Sequence, residues 1–66
     1  MAVAKVIEVL AEGSSIETAV EDAVAEASKT VKNIRSVYVQ DIQAVVSNNA
    51  VSRFRVNCKV TFLVGS

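Results

Sequence analysis

Arg53, Arg55 and Lys59 stand at odd positions near the end of the chain. On an extended strand, odd positions share one face, so the three cations form a row. Such a row suits the phosphate of a nucleotide or coenzyme. It suits equally well a set of acids on neighbouring elements, which is the commoner use of a charged strand face. Asp41 is the only acid after residue 26. Its carboxylate suits a salt bridge to Arg53 or Arg55 across a hairpin. Glu17, Glu21, Asp22 and Glu26 share one helical face. With no histidine and no second acidic segment to join them, a solvated polar face is expected. The absence of His also removes Ser-His-Asp and Cys-His nucleophile systems. The lone Cys58 rules out an internal disulfide and leaves structural zinc almost without ligands. Cys58 lies between Val56 and Val60 on an apolar strand face, where a thiol packs as a small inert hydrophobe.

These residues sit in a chain of 66, 52% of it hydrophobic, with only Tyr38, Phe54 and Phe62 as aromatics and no Trp or Pro. Fourteen residues are Val and nine are Ala, so the core material is small. A single domain over residues 1–66 is expected, and one this short buries only about 60% of its unfolded surface. Mean hydropathy is nevertheless +0.40. Small apolar domains need a staple, and with disulfide and zinc excluded the staple left is self-association. Seven basic residues balance seven acidic ones, which argues against a nucleic-acid partner. Six of the acids precede residue 27 and six of the bases follow residue 28, so one half of the chain can pair with the other. The opening segment is too short and too charged for a signal peptide or membrane span, and the reading is a cytoplasmic protein with a reduced thiol.

The elements that carry these residues follow from periodicity. Val3 to Ala11 is rich in β-branched residues and apolar on both faces, a strand with two burial partners. Ser14 followed by Glu17 has the spacing of a capping box. From there Ile16, Ala19, Val20, Ala23, Val24, Ala27, Val31 and Ile34 trace one helical stripe, and its alanines let a sheet approach closely. Asn33 suits a left-handed residue at the helix end. Arg35 to Val46 is a second strand, Ser47-Asn48-Asn49-Ala50 a tight turn, and Val51 to Val64 a third strand. Phe54, Val56, Cys58, Val60, Phe62 and Val64 lie on one face of that strand, and Arg53, Arg55, Asn57, Lys59 and Thr61 on the other. At about 3.3 Å per residue it spans about 40 Å. A compact 66-residue domain has a radius of gyration near 11 Å by chain-length scaling, roughly. The strand must therefore curl round the helix or project into a neighbour. The fold class expected is α+β, β-α-β-β, with a three-stranded antiparallel sheet wrapped around one helix.

This order, together with Lys5 to Glu17 (KVIEVLAEGSSIE), Ala25 to Ile34 (AEASKTVKNI) and Arg53 to Phe62 (RFRVNCKVTF), resembles the dodecins. The likeness covers nearly the whole chain. It implies a hollow homododecamer of cubic symmetry that is not an enzyme and that stores a flavin such as FMN or riboflavin. In dodecins the flavin rings stack on a strand-two Trp and hydrogen-bond to a strand-three Gln; some members bind coenzyme A or metal ions. Here the Trp position is Ser36 and the Gln position is Arg55. A hydroxymethyl group has no π surface, so the stacking contribution, commonly about 1–3 kcal/mol per contact, is lost and flavin binding is weakened. Arg55 can still lie flat on a ring or grip a phosphate, and Tyr38 adds the only phenol near Ser36. The reading is thus a non-catalytic small-ligand cage with Ser36, Tyr38 and Arg55 at the ligand. Its alternative is an ion-binding or purely structural cage: the resemblance implies that Asp41 matches a position which in some dodecins faces a metal ion near a symmetry axis, where several copies supply oxygen ligands to calcium or magnesium. An enzyme working through Arg and carboxylates alone is disfavoured by the lack of His and of a Gly-rich phosphate loop.

Overall fold

The hairpin decides the shape of the molecule. In the computed structural model, which describes residues 3–65, the elements are β1 (Val3–Gly13), α1 (Ile16–Ala27), β2 (Ile34–Ser47) and β3 (Ala50–Val64). Asn48 and Asn49 both take positive φ, 53° and 60°, which is what a two-residue turn between right-twisted strands requires. All pairing is antiparallel, and the sheet order β1-β3-β2 puts the longest strand at the centre. The expected β-α-β-β fold, with one helix on a three-stranded antiparallel sheet, is the fold observed. The long axis is 51 Å and the radius of gyration 13.6 Å, above the roughly 11 Å of a compact chain of this length. The end of the hairpin projects beyond the body that the helix covers.

The helix starts one residue later than the sequence spacing suggests. Ser15, not Ser14, is the N-cap: its Oγ accepts from the Thr18 backbone N–H at 3.1 Å, and Thr18 Oγ1 accepts from the Ser15 N–H at 3.0 Å. Glu17 is left pointing to solvent in the first turn. The cause is the sheet, because β1 continues in register to Gly13 opposite Phe54 and leaves only Ser14 to turn the chain. Gly13 is needed there. A Cβ at that position would sit 2.6 Å from both the Ala19 backbone nitrogen and Thr18 Oγ1.

The helix also ends earlier than its apolar stripe. It closes at Ala27, and the N–H groups of Lys29 and Thr30 turn to carbonyls three residues back, Glu26 and Ala27, while Val31 also donates to Ala27. Thr30 and Val31 are β-branched, and Ile34 is already paired with Phe62 in β2, so the sheet takes over the chain. Asn33 has φ 62°, the left-handed conformation foreseen for it, although it lies beyond the helix end. Val31 and Ile34 still pack on the core from outside the helix.

That core is made of small residues. Ala19, Ala23 and Ala27 meet Val56, Cys58 and Val60, all at most 3% exposed, with Ile7, Val9, Val37 and Val39 around them. Alanine at the three buried helix positions lets α1 lie close over β1 and β3, with Ile16 and Val20 packing at the margin of the core. Larger apolar residues stay outside: Val3, Val6, Leu10, Tyr38, Ile42, Val46 and Val51 are each more than half exposed. Val6 and Leu10 on the outer side of β1, against Ile7 and Val9 on the inner side, give the two apolar faces expected of this strand.

Candidate functional site

The polar side chains collect on the sheet face opposite the helix, and the register decides which of them meet. Along β3 that face carries Arg53, Arg55, Asn57, Lys59 and Thr61. Opposite them on β1 lie Glu12 (across from Arg55), Leu10 (from Asn57) and Glu8 (from Lys59). On β2, Ser36 faces Thr61 and Tyr38 faces Lys59. The register then slips between Val39 and Asp41, leaving Gln40 as the extra residue of a bulge. Past a bulge the alternation changes parity. Asp41 and Gln43 therefore join the outer face, opposite Asn57 and Arg55. A second irregularity, between Val45 and Val46, leaves Ser52 unpaired, and its hydroxyl donates to the Val45 carbonyl at 3.1 Å.

The result is a rung across all three strands. Arg55 Nε donates to Glu12 Oε2 at 2.7 Å, and its Nη1 donates to Gln43 Oε1 across a longer 3.4 Å. Arg53 Nε donates to the other oxygen of the same carboxylate. Two guanidinium groups on one acid hold the Glu12 carboxyl below the usual carboxylate range, with the hydrogen bond from Arg55 the larger cause and that from Arg53 next. These pairs are half-exposed and contribute little to stability. Their effect is geometric: Arg55, tied along two edges, presents its flat face and remaining N–H groups.

Beside this rung lies a recess of about 260 Å³ lined by Leu10, Asp41, Ile42, Gln43, Arg55 and Asn57. A second, about 410 Å³, adjoins it across Leu10 and Arg55. Asn57 lines the first, and its Oδ1 atom is buried and accepts no hydrogen bond. An orphaned acceptor of this kind costs about 1–3 kcal/mol.

The charge pairing expected of the basic row is present, but with a different acid. Arg53 and Arg55 pair with Glu12 on β1, not with Asp41 across the hairpin. The register between the Ser52 and Gln40 irregularities is the reason, for it places Asp41 opposite Asn57, one step of the outer face beyond Arg55. Among the described residues, the ion pairs do not include Asp41. Glu17, Glu21, Asp22 and Glu26 are exposed, as a solvated helix face requires, and Glu26 pairs with Lys29 at 3.2 Å. No cluster of three or more metal-ligating side chains occurs among the described residues. Cys58 is fully buried, and burial pushes its thiol pKa up, the inert state expected of it.

Of the four residues singled out by the sequence, the fold brings Arg55 and Asp41 to one recess. Ser36 and Tyr38 lie farther along the same face. Their partners Thr61 and Lys59 are six and four residues from Arg55 on β3, about 20 Å and 13 Å away at about 3.3 Å per residue. One subunit does not assemble the trio Ser36, Tyr38 and Arg55. Glu12, Gln43 and Asn57 were not foreseen as site residues. Asn57 shares its strand face with Arg55 by simple alternation, but Glu12 and Gln43 enter only through strand order and bulges.

The sequence profile of the family described as Dodecin matches residues 3–65. The chain belongs to the dodecin family. Searching curated proteins by sequence returned no match. Among solved structures, a protein of Thermus thermophilus superposes with a TM-score of 0.92 at 24% identity, over 100% of this chain and 98% of the other. The dodecin of Streptomyces coelicolor gives 0.90 at 23% identity, over 98% and 94% of the two chains. The dodecin of Streptomyces davaonensis gives 0.90 at 17% identity, over 98% and 97%. At these identities the structural matches establish the dodecin fold and nothing finer. Among the described residues, no helix is long and apolar enough to cross a membrane.

Proposed function

We propose that this dodecin is a non-catalytic binding protein for a flat heterocyclic ligand, assembled as a hollow homododecamer. The observation that carries this reading is the Glu12–Arg55–Gln43 rung beside an open recess on the outer sheet face. A tethered guanidinium is a platform on which a ring can lie, and it compensates in part for the side chain at position 36. Ser36 and Tyr38 lie too far along the face to join Arg55 within one subunit. A site that uses all three has to be shared between copies. The exposed Val6, Leu10, Val46 and Val51 provide apolar surface for that assembly. The ligand class is that of riboflavin and FMN, held weakly because Ser36 offers no ring face. Native mass spectrometry is expected to give a mass near twelve subunits, and titration with riboflavin to give quenching only above micromolar ligand. A stable monomer, or strong quenching at micromolar riboflavin, contradicts this reading.

A second reading is favoured by one observation: the Asp41 carboxylate makes no ion pair among the described residues and faces the Asn57 amide across the ladder. In copies gathered near a symmetry axis, these oxygens would suit calcium or magnesium, which take six or more oxygen ligands. Elemental analysis of the purified protein and of Asp41→Ala separates the two readings, since equal metal content in both removes Asp41 from any ion site.

A further inference from the structure

The recess beside Arg55 is uneven in its hydrogen-bonding character, and the unevenness specifies a ligand edge. Its cationic wall is partly engaged, because Arg55 gives Nε to Glu12 and Nη1 to Gln43 and keeps three further N–H groups. Its acceptors are not. Asn57 Oδ1 is buried without a donor. Asp41, across the ladder from Asn57, takes part in none of the hydrogen bonds or ion pairs among the described residues. Cross-strand partners have Cβ atoms about 4.5–5.5 Å apart, so the Asp41 carboxylate stands beside the Asn57 side chain at the recess. Leu10, 70% exposed, and Ile42, 52% exposed, line the same recess with apolar surface.

We infer that the recess prefers a flat heterocycle whose polar edge donates rather than accepts: a ring N–H beside an exocyclic amino group, the edge shared by guanine and pterins. This inference rests on the proposed ligand-binding role of the recess and goes further by naming the edge that is read. An aspartate carboxylate takes the ring N–H and one amino hydrogen as a two-point fork. The ring face lies on the Arg55 guanidinium and the apolar edge against Leu10. The imide edge of a flavin presents two carbonyl oxygens flanking one N–H, and these carbonyls would oppose the Asp41 carboxylate. Position 41 therefore works with position 36 to move the site away from flavins and toward amino-bearing rings. Glu12 and Gln43 act as positioning residues, keeping Arg55 from swinging over to Asp41 and neutralising it.

The test is calorimetric titration of the assembled protein with guanosine, pterin, inosine and riboflavin, repeated on Asp41→Asn and Asn57→Leu. Native mass spectrometry shows that each variant keeps the wild-type assembly. Guanosine or pterin is expected to bind, and whichever binds identifies the source of the edge. Inosine, which lacks only the 2-amino group of guanosine, is expected to bind about tenfold or more weakly, the range for losing a hydrogen bond to a charged group. Asp41→Asn is expected to remove that difference between guanosine and inosine without weakening riboflavin. Equal affinity for guanosine and inosine, or an undiminished preference in Asp41→Asn, overturns the inference. Riboflavin bound while neither guanosine nor pterin binds overturns it too, and leaves the proposed function standing. Binding of none of the four overturns both.

Discussion

Replacing Ser36 by Trp tests whether the missing ring face is what limits flavin binding. Ser36 is exposed on the outer sheet face opposite Thr61, and its hydroxyl appears in none of the hydrogen bonds among the described residues. The substitution therefore removes no internal contact and puts an indole where the subunit has open surface. Stacking a flat ring on an aromatic is commonly worth about 1–3 kcal/mol per contact. That corresponds to an increase in riboflavin affinity of about 5- to 140-fold for one indole face. If two copies flank one ligand, the gain is larger, though incomplete additivity keeps it below the product. Riboflavin fluorescence is the assay, because stacking on indole quenches it. Ser36→Leu is the control, adding apolar area without a π face, and is expected to give only a small part of the gain. Native mass spectrometry on each variant verifies that the assembly is unchanged. Should Ser36→Trp bind riboflavin no better than Ser36→Leu, the ring face is not the limiting element, and position 36 does not meet the ligand.

Gly13→Ala is expected to destabilise the fold, because its Cβ would stand 2.6 Å from the Ala19 backbone nitrogen; about 1–3 kcal/mol, or a melting point lower by at least about 4 °C, should appear in thermal circular dichroism. Ala23→Leu, at a helix contact with no exposure, should cost a similar amount, whereas Ala25→Leu on the exposed side of α1 should leave the melting point nearly unchanged. Glu12 provides a pH test. Its carboxyl is held below the ordinary value of 4.5, so its contribution to stability is complete above that value and is lost as pH falls through the lower folded value. In a carbon-detected NMR titration the Glu12 midpoint should lie below 4.5, and Arg55→Ala should raise it more than Arg53→Ala.

Much of the fold could be read from residues whose meaning is local. The two asparagines at 48 and 49 mark the hairpin because few other residues accept positive φ in succession. The alanines at 19, 23 and 27 mark the buried helix face, and alternation on β3 separates Val56, Cys58 and Val60 from Arg55 and Asn57. The helix ends were each misplaced, because strand pairing through Gly13 and from Ile34 outweighs the capping signal at Ser14 and the apolar stripe at Val31. The assignment of the acid that pairs with the arginines failed for a related reason. Glu12 meets Arg55 only because β3 lies between β1 and β2, and that strand order has no signature in any one segment.

The bulge at Gln40 carries the larger lesson about this site. A two-residue turn at Asn48-Asn49 pairs Ser47 with Ala50, and uninterrupted pairing from there would set Ile42 opposite Arg55 and Gln40 opposite Asn57. Asp41 would then point toward the helix side, where the sheet buries apolar residues and no cation waits. The slip at Ser52 moves the register by one, and the slip at Gln40 restores it. Between the two, residues 41 to 45 present their odd-numbered side chains outward, while Ser36 and Tyr38 present even-numbered ones. The two halves of β2 thus reach the same face by opposite parity. Because Gln40 is the extra residue, deleting it joins Val39 directly to Asp41 and makes their pairing with Cys58 and Asn57 continuous, so Asp41, Gln43 and the Arg55–Gln43 contact keep their places on the outer face. Two irregularities with no individual sequence signal are therefore what make the outer face of this dodecin polar at its centre, and they place the one unpaired acid of β2 beside the orphaned amide of Asn57.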